Sequence, residues 1–359
     1  MTEIPYDSVV LISFGGPEGP DDVIPFLQNV TAGRGVPPER LAEVAEQYAL
    51  FDGVSPINEQ NRELRAALQT ALERGGIDLP VYWGNRNWHP LLVDTVQEMV
   101  DAGHRRAVGI VTSAFGSYSG CRQYREDIAG ATEGTPLTID KPPHYWSHAG
   151  FLEPMTQRVN DALAGLGDRA ARARVVFTAH SIPTSWVEHS PYVGQLRAAA
   201  AHISGSVFPD DAARASSWDL VYQSRSGPPQ VPWLEPDIND HLHDLAKRGV
   251  DTVVVVPLGF VSDHMEVAFD LDTQALATAD DLGMTMVRAG TVGTHPDFVA
   301  ALRSLVEETM SGDDPLRVVA EPGRVPCSEG CCDRPTRGRP GGPSGNPGVR
   351  PHGSDPEQA

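Results

Sequence analysis

Short, almost wholly apolar runs punctuate the chain. In the first half they are Ser8–Phe14, Val81–Gly84, Ala107–Thr112 and Leu137–Ile139; in the second they are Arg174–Ala179, Leu220–Gln223, Thr252–Pro257 and Met284–Ala289. Runs of this length with little polar alternation predict strands buried on both faces. Between them, Glu59–Arg74, Leu91–Ala102, Leu152–Ala164 and Pro296–Met310 carry apolar residues at three- and four-residue intervals, which predicts amphipathic helices. Strand and helix in alternation predict an α/β protein with parallel sheets. Four strands on each side of the midpoint predict two similar doubly wound units, residues 1–150 and 151–310.

The pattern stops after the last helix. Residues 311–332 form a C-terminal extension with a cysteine cluster, and 333–359 are Pro, Gly and Ser with scattered charge. Such a tail cannot bury enough apolar surface to offset its ordering entropy and is expected to be disordered. No apolar run approaches the ~18–20 residues of a membrane span, so no stable membrane anchor is expected. The N-terminus lacks the basic region and cleavage site of a signal peptide, which predicts a cytoplasmic protein. Acidic residues outnumber basic ones 48 to 28, a net charge of −20, and this argues against a nucleic-acid partner. An anionic small molecule would need local arginines. The four cysteines are too few to staple 359 residues. Cys121 stands alone, whereas Cys327, Cys331 and Cys332 crowd together, a pattern that in a reducing compartment favours metal binding over pairing.

Candidate chemistry gathers where strands end. The first strand runs into Ser13-Phe14-Gly15-Gly16-Pro17, whose glycines serve a ligand or a plain tight turn equally well. His180 follows the buried run Val175–Ala179, the position at which open α/β sheets place their ligand crevice. The segment after Val253–Val256 is the richest: Pro257-Leu258-Gly259-Phe260-Val261-Ser262-Asp263-His264-Met265-Glu266. Beyond it Glu266, Asp270 and Gln274 recur every four residues, drifting about 40° per step on an α-helix. Two acidic groups so spaced repel, which a purely structural helix would avoid. They read as a path of oxygen ligands for a divalent cation, against the plainer alternative of a solvated acidic face. A π-helical turn would align the three better.

Taken together, these passages resemble the ferrochelatase family, enzymes that insert ferrous iron into a porphyrin. The likeness is carried by VVLISFGGPEGPDDV, FDGVSPIN, WGNRNWHP, GSYSGCRQY, VVFTAHSIP, YQSRSGPPQVPWLEP and VVPLGFVSDHMEVAFDLD, in the family's order and reaching to about Met310. It implies the chelatase fold, two Rossmann-like units facing across a cleft. It also implies that His180 and Glu266 face each other across the macrocycle, His180 accepting pyrrole protons or ligating, Glu266 handing over the Fe2+ substrate. Asp270 continues the metal channel, with Gln274 where the family has a third carboxylate. Ser55 and Tyr124 match positions that hold the porphyrin and its propionates, as do Arg34 and Arg86 on less similar flanks.

Phe14 stands where one branch of the family has an axial tyrosine ligand, and a phenyl ring cannot ligate iron. The short chain without an apolar lip is similar to the branch that metallates coproporphyrin III rather than protoporphyrin IX, with actinobacterial members the most alike. Extended family members carry a [2Fe–2S] cluster, which would fall here to Cys121, Cys327, Cys331 and Cys332; tetrahedral zinc is the alternative with the same ligand count. The rival readings are a protoporphyrin IX ferrochelatase, a cobalt or sirohydrochlorin chelatase of the same fold, a two-domain glycosyltransferase and an iron–sulfur electron carrier. The glycosyltransferase lacks phosphate-binding elements in the second half, and the electron carrier leaves the strand-end residues unexplained.

Overall fold

The computed structural model describes residues 5–227, 229–313, 316–319 and 330–333. Its eight strands are β1 (Ser8–Ser13), β2 (Val81–Asn85), β3 (Arg106–Val111), β4 (Thr138–Asp140), β5 (Arg174–His180), β6 (Trp218–Gln223), β7 (Thr252–Val256) and β8 (Thr285–Arg288). Each falls on or within a residue or two of an apolar run of the sequence. They form two four-stranded sheets in the orders β2-β1-β3-β4 and β6-β5-β7-β8, with every neighbouring pair parallel. β1 and β7 are buried along their whole length, because helices cover both faces of each sheet.

In both sheets the strand order reverses at the centre, beside β1 in one and β5 in the other. At such a switch point the connections leave to opposite faces and open a crevice at the carboxyl ends of the strands. The residues after β1, β5 and β7 therefore line the natural binding positions of this fold.

Between β1 and the long helix α3 (Ile57–Arg74) the chain makes an excursion through α1 (Pro20–Val30) and α2 (Pro38–Ala49). Val23, Phe26, Leu27, Leu41 and Tyr48 of these helices share a small apolar core with Met265, and Phe269 packs against it. The excursion thus joins the first unit to the segment that follows β7 in the second. Its return depends on Gly53, which has φ +74°; a Cβ there would lie 2.4 Å from the Pro20 Cα.

The principal core runs through both units. Leu11, Phe115, Trp146 and Phe151 belong to the same cluster as Phe177, Val254 and Phe298. The C-terminal helix Pro296–Ser311 packs back against α3 and the helix Ala149–Gly165. The expected extension and tail fall largely in 320–329 and 334–359, outside the described residues.

Candidate active site

His180 is the last residue of β5. Its Nδ1 donates to the Ser181 carbonyl, and the Tyr192 hydroxyl donates to the carbonyl of His180 itself at 3.1 Å. The ring is thereby oriented with Nε2 toward the cleft, 3.4 Å from Oε1 of Glu266. Trp233 flanks the imidazole, ring centres 6.5 Å apart. The loop after β7 can reach this point because Gly259 lies against β5: a Cβ there would be 2.7 Å from the Ala179 Cβ, and the Gly259 N–H donates to the Thr178 carbonyl at 3.0 Å.

Glu266 sits in the first turn of a helix capped by His264, whose Nδ1 accepts the Glu266 N–H at 3.2 Å. Gln223, at the end of β6, donates from Nε2 to the Glu266 carbonyl at 2.6 Å. The helix then passes into a π-helical segment, Asp270–Ala275, in which the Gln274 N–H donates to the Phe269 carbonyl at 2.9 Å. This is the turn that brings the four-residue spacing of Glu266, Asp270 and Gln274 closer to one line. Gln274 is at the exposed outer end. Asp263, though next to this path, is taken up by Arg288 at 3.1 Å and Thr291 at 3.1 Å and acts as a brace.

The electrostatics follow from the packing. Burial disfavours charge on His180, yet the Glu266 carboxylate and the Ser181 carbonyl outweigh it and raise the imidazole to about 9. Burial likewise works against the Glu266 carboxylate, but His180 holds it down at about 2. Asp270 is pushed up to about 7, first by burial and then by the neighbouring Glu266, against the bond it accepts from Ser224. His180 and Glu266 thus favour each other's charged form, and beside them burial pushes the Asp270 carboxyl up to about 7. Side-chain exposures of 32% for His180 and 41% for Glu266 leave both open to the cleft.

On the opposite wall Phe14 follows β1 and is 38% exposed, its ring edge-on to Phe26 at 6.4 Å. Ile24, Leu50 and Val54 of the same region are exposed as well. Ser55 is buried beside Gly16, its N–H donating to the Pro17 carbonyl at 2.9 Å. Asn58 clamps Gly16 through both its carbonyl and its amide, at 3.2 and 3.0 Å. Arg34 lies exposed in the turn between α1 and α2.

Arg86 departs from the expectation. Its side chain is 7% exposed and paired with Asp127, its Nη atoms reach the Ser119 carbonyl at 3.3 and 3.4 Å, and its guanidinium lies 3.7 Å from the Tyr124 ring centre. It is a brace within the first unit, and a propionate would have to compete with Asp127 for it. Tyr124 is correspondingly buried beneath it.

Cys121 is buried in a second π-helical segment, Tyr118–Arg122. Residues 330–333 dock beside that segment: Arg122 Nη1 meets Asp333 at 3.2 Å, and the Cys332 N–H donates to the His189 carbonyl at 3.1 Å. The Sγ atoms of Cys331 and Cys332 are 3.6 Å apart. Burial, together with the nearby Cys331 and Cys121, pushes the Cys332 thiol up. Cys327 lies outside the described residues, and among the described residues no three Cys, His, Asp or Glu side chains are arranged to hold a metal.

Three residues of this site escape a reading of the sequence. Gln223, which ends β6, and Ser224 just after it meet Glu266 and Asp270, and Tyr48 comes across from α2, its phenol pushed up by burial and then by Glu266 and Asp270. The one signal for Gln223 is a polar residue ending an otherwise buried strand.

The family model for ferrochelatase matches residues 6–310. The coproporphyrin III ferrochelatase of Streptomyces coelicolor is 53% identical over 326 residues, 86% of this chain and 87% of the relative. That of Frankia alni is 53% identical over 342 residues, 92% and 87% of the two chains. The ferrochelatase of Rhodopirellula baltica is 48% identical over 341 residues, 92% and 95%. Among solved structures, the sirohydrochlorin chelatase SirB of Bacillus subtilis subspecies spizizenii superposes with a TM-score of 0.52 at 14% identity, covering 86% of this chain and 96% of its own, a likeness of fold. The family match over residues 6–310 and relatives about half identical over most of the chain give one conclusion: the chain belongs to the ferrochelatase family, enzymes that insert ferrous iron into a porphyrin.

Proposed function

We propose that this chain inserts Fe(II) into coproporphyrin III, with the first unit (1–150) supporting the macrocycle and the second (151–310) supplying the metal-handling residues. The observation that carries the reading is the His180–Glu266 pair, 3.4 Å apart at the mouth of the crevice and continued by Asp270. Curated relatives named for coproporphyrin III support the choice of porphyrin.

Metal insertion sets a cation against nitrogens that still carry two protons. Binding energy from the carboxylates of the porphyrin can hold the ring bent, so that lone pairs face one side. The neighbouring Glu266 carboxylate favours the protonated form of His180, which is not a base. Iron arriving at Glu266 neutralises the carboxylate that stabilises the imidazolium, so the His180 proton leaves and Nε2 becomes an acceptor for the pyrrole protons. Asp270 precedes Glu266 on the path. Phe14 is the proposed apolar floor of the porphyrin and Arg34 the proposed partner of a propionate, while Ser55 and Tyr124, both buried, would support that wall from behind.

We propose in addition a [2Fe–2S] cluster on Cys121, Cys327, Cys331 and Cys332. Support comes from the docking of 330–333 beside Cys121: buried, closely spaced thiols are unfavourable as free thiolates and favourable as ligands. When bound, the cluster would supply a cross-link between the extension and the first unit, through Cys121. Anaerobically purified protein should be red-brown, with iron and acid-labile sulfide; zinc without sulfide would replace the cluster with a zinc site. Localisation in the cytoplasm is part of this reading, and among the described residues no helix is long and apolar enough to cross a membrane.

The reaction class is tested by incubating the protein anaerobically with Fe(II) and, separately, coproporphyrin III, protoporphyrin IX and sirohydrochlorin. Metallation of sirohydrochlorin alone would overturn the assignment.

A further inference from the structure

Among the described residues only Asp52, Ser224 and Cys332 hold a left-handed backbone without being glycine. Ser224, with φ +61°, is the one that meets the metal path. Side chains with a Cβ occupy this region at a cost, and such residues persist where the surroundings over-determine them. Here the preceding residue is held twice. The Gln223 side chain donates to the Glu266 carbonyl at 2.6 Å, and its own carbonyl accepts the Ser181 N–H at 2.8 Å. With Gln223 fixed, the left-handed step sends the Ser224 hydroxyl between the two acidic side chains. It donates to Asp270 Oδ2 and lies within hydrogen-bonding reach of the Glu266 carboxylate.

We propose that Ser224 is a positioning residue for the passage of the metal from Asp270 to Glu266, its rotatable hydroxyl serving whichever carboxylate is not holding the cation. Two carboxylates this close repel, and a cation on one leaves the other uncompensated. A serine hydroxyl has one proton and serves one acceptor at a time, so a rotation of the side chain transfers it as the cation moves. The inference rests on the metal path described under the proposed function.

The test is Ser224→Gly. Glycine accepts the left-handed backbone without strain, so the variant removes the hydroxyl and keeps the turn. Its thermal midpoint should be no lower than that of the parent. In anaerobic assays at saturating coproporphyrin III, the KM for Fe(II) should rise about five- to tenfold, with kcat within about twofold and the KM for the porphyrin unchanged. A purely structural serine makes glycine neutral, so an unchanged KM for Fe(II) overturns the proposal. A fall in kcat with no change in that KM, or an equal rise in the porphyrin KM, also overturns it, because both report a distorted site. If the parent protein metallates no porphyrin, the proposed function itself fails; turnover by the parent with an indifferent glycine variant removes only the role of Ser224.

Discussion

At the scale of single residues, the site is governed by the ion pair of His180 and Glu266, which on the proposed mechanism an incoming metal disrupts. His180 titrates at about 9 and Glu266 at about 2 because each stabilises the other's charge against burial. The raised value on His180 means that its share of stability is complete below the ordinary imidazole value of ~6.5 and is lost as pH rises through about 9. The lowered value on Glu266 means that its share is complete above ~4.3 and is lost as pH falls through about 2. Urea unfolding followed with pH should therefore show stability declining as the imidazole deprotonates, and the decline should be absent from Glu266→Gln. A parent and variant with parallel profiles would contradict the pairing. His180→Ala and Glu266→Ala should each lower kcat/KM for metallation by about 10²–10⁴ while coproporphyrin binding, followed by fluorescence quenching, is retained. Asp270→Ala should cost less, since a delivery site speeds capture without touching the pyrrole nitrogens; a loss equal to that of Glu266→Ala would remove the path. His180 and Glu266 are legible in the sequence because a strand end has little packing use for an imidazole or a carboxylate. Arg86 misleads for the converse reason: its partner Asp127 is 41 residues further on, and no local pattern shows that the charge is already matched.

At the scale of elements, the π-helical segment Asp270–Ala275 and the α1–α2 excursion do different work. The first aligns side chains, and the four-residue recurrence of Glu266, Asp270 and Gln274 announces it. The excursion carries Phe14's neighbours and Tyr48 to the cleft, and nothing in the sequence pattern predicts its helices. Pro20 and Pro38 open them and Pro25 interrupts the first, so the apolar spacing is short and broken. What holds the excursion down is the turn at Gly53. Gly53→Ala would place a Cβ against the Pro20 backbone in a left-handed conformation, and should lower stability by about 2 kcal/mol or more. Because Ser55 and Val54 follow directly, the same variant should raise the KM for porphyrin more than the KM for Fe(II). Equal effects on both would separate the turn from the macrocycle.

At the scale of the whole molecule, two parallel sheets bring the ends of β1, β5 and β7 together, and a shared core fixes the units against each other. The strands were the most legible feature, since burial on both faces leaves an unbroken apolar run. Residues 330–333 were the least, because they dock through Arg122 and His189, far earlier in the chain. If Cys121 is a cluster ligand, Cys121→Ser should bleach the visible absorption and increase hydrogen exchange in 184–192, the loop that Cys332 touches through His189. An unchanged spectrum would remove Cys121 from the ligand set. The central claim, that this cleft metallates a porphyrin bearing four propionates, is met most directly by kcat/KM for Fe(II) insertion into coproporphyrin III and protoporphyrin IX, measured anaerobically in detergent-free buffer. The account predicts a clear preference for coproporphyrin III; equal values or a preference for protoporphyrin IX would contradict it.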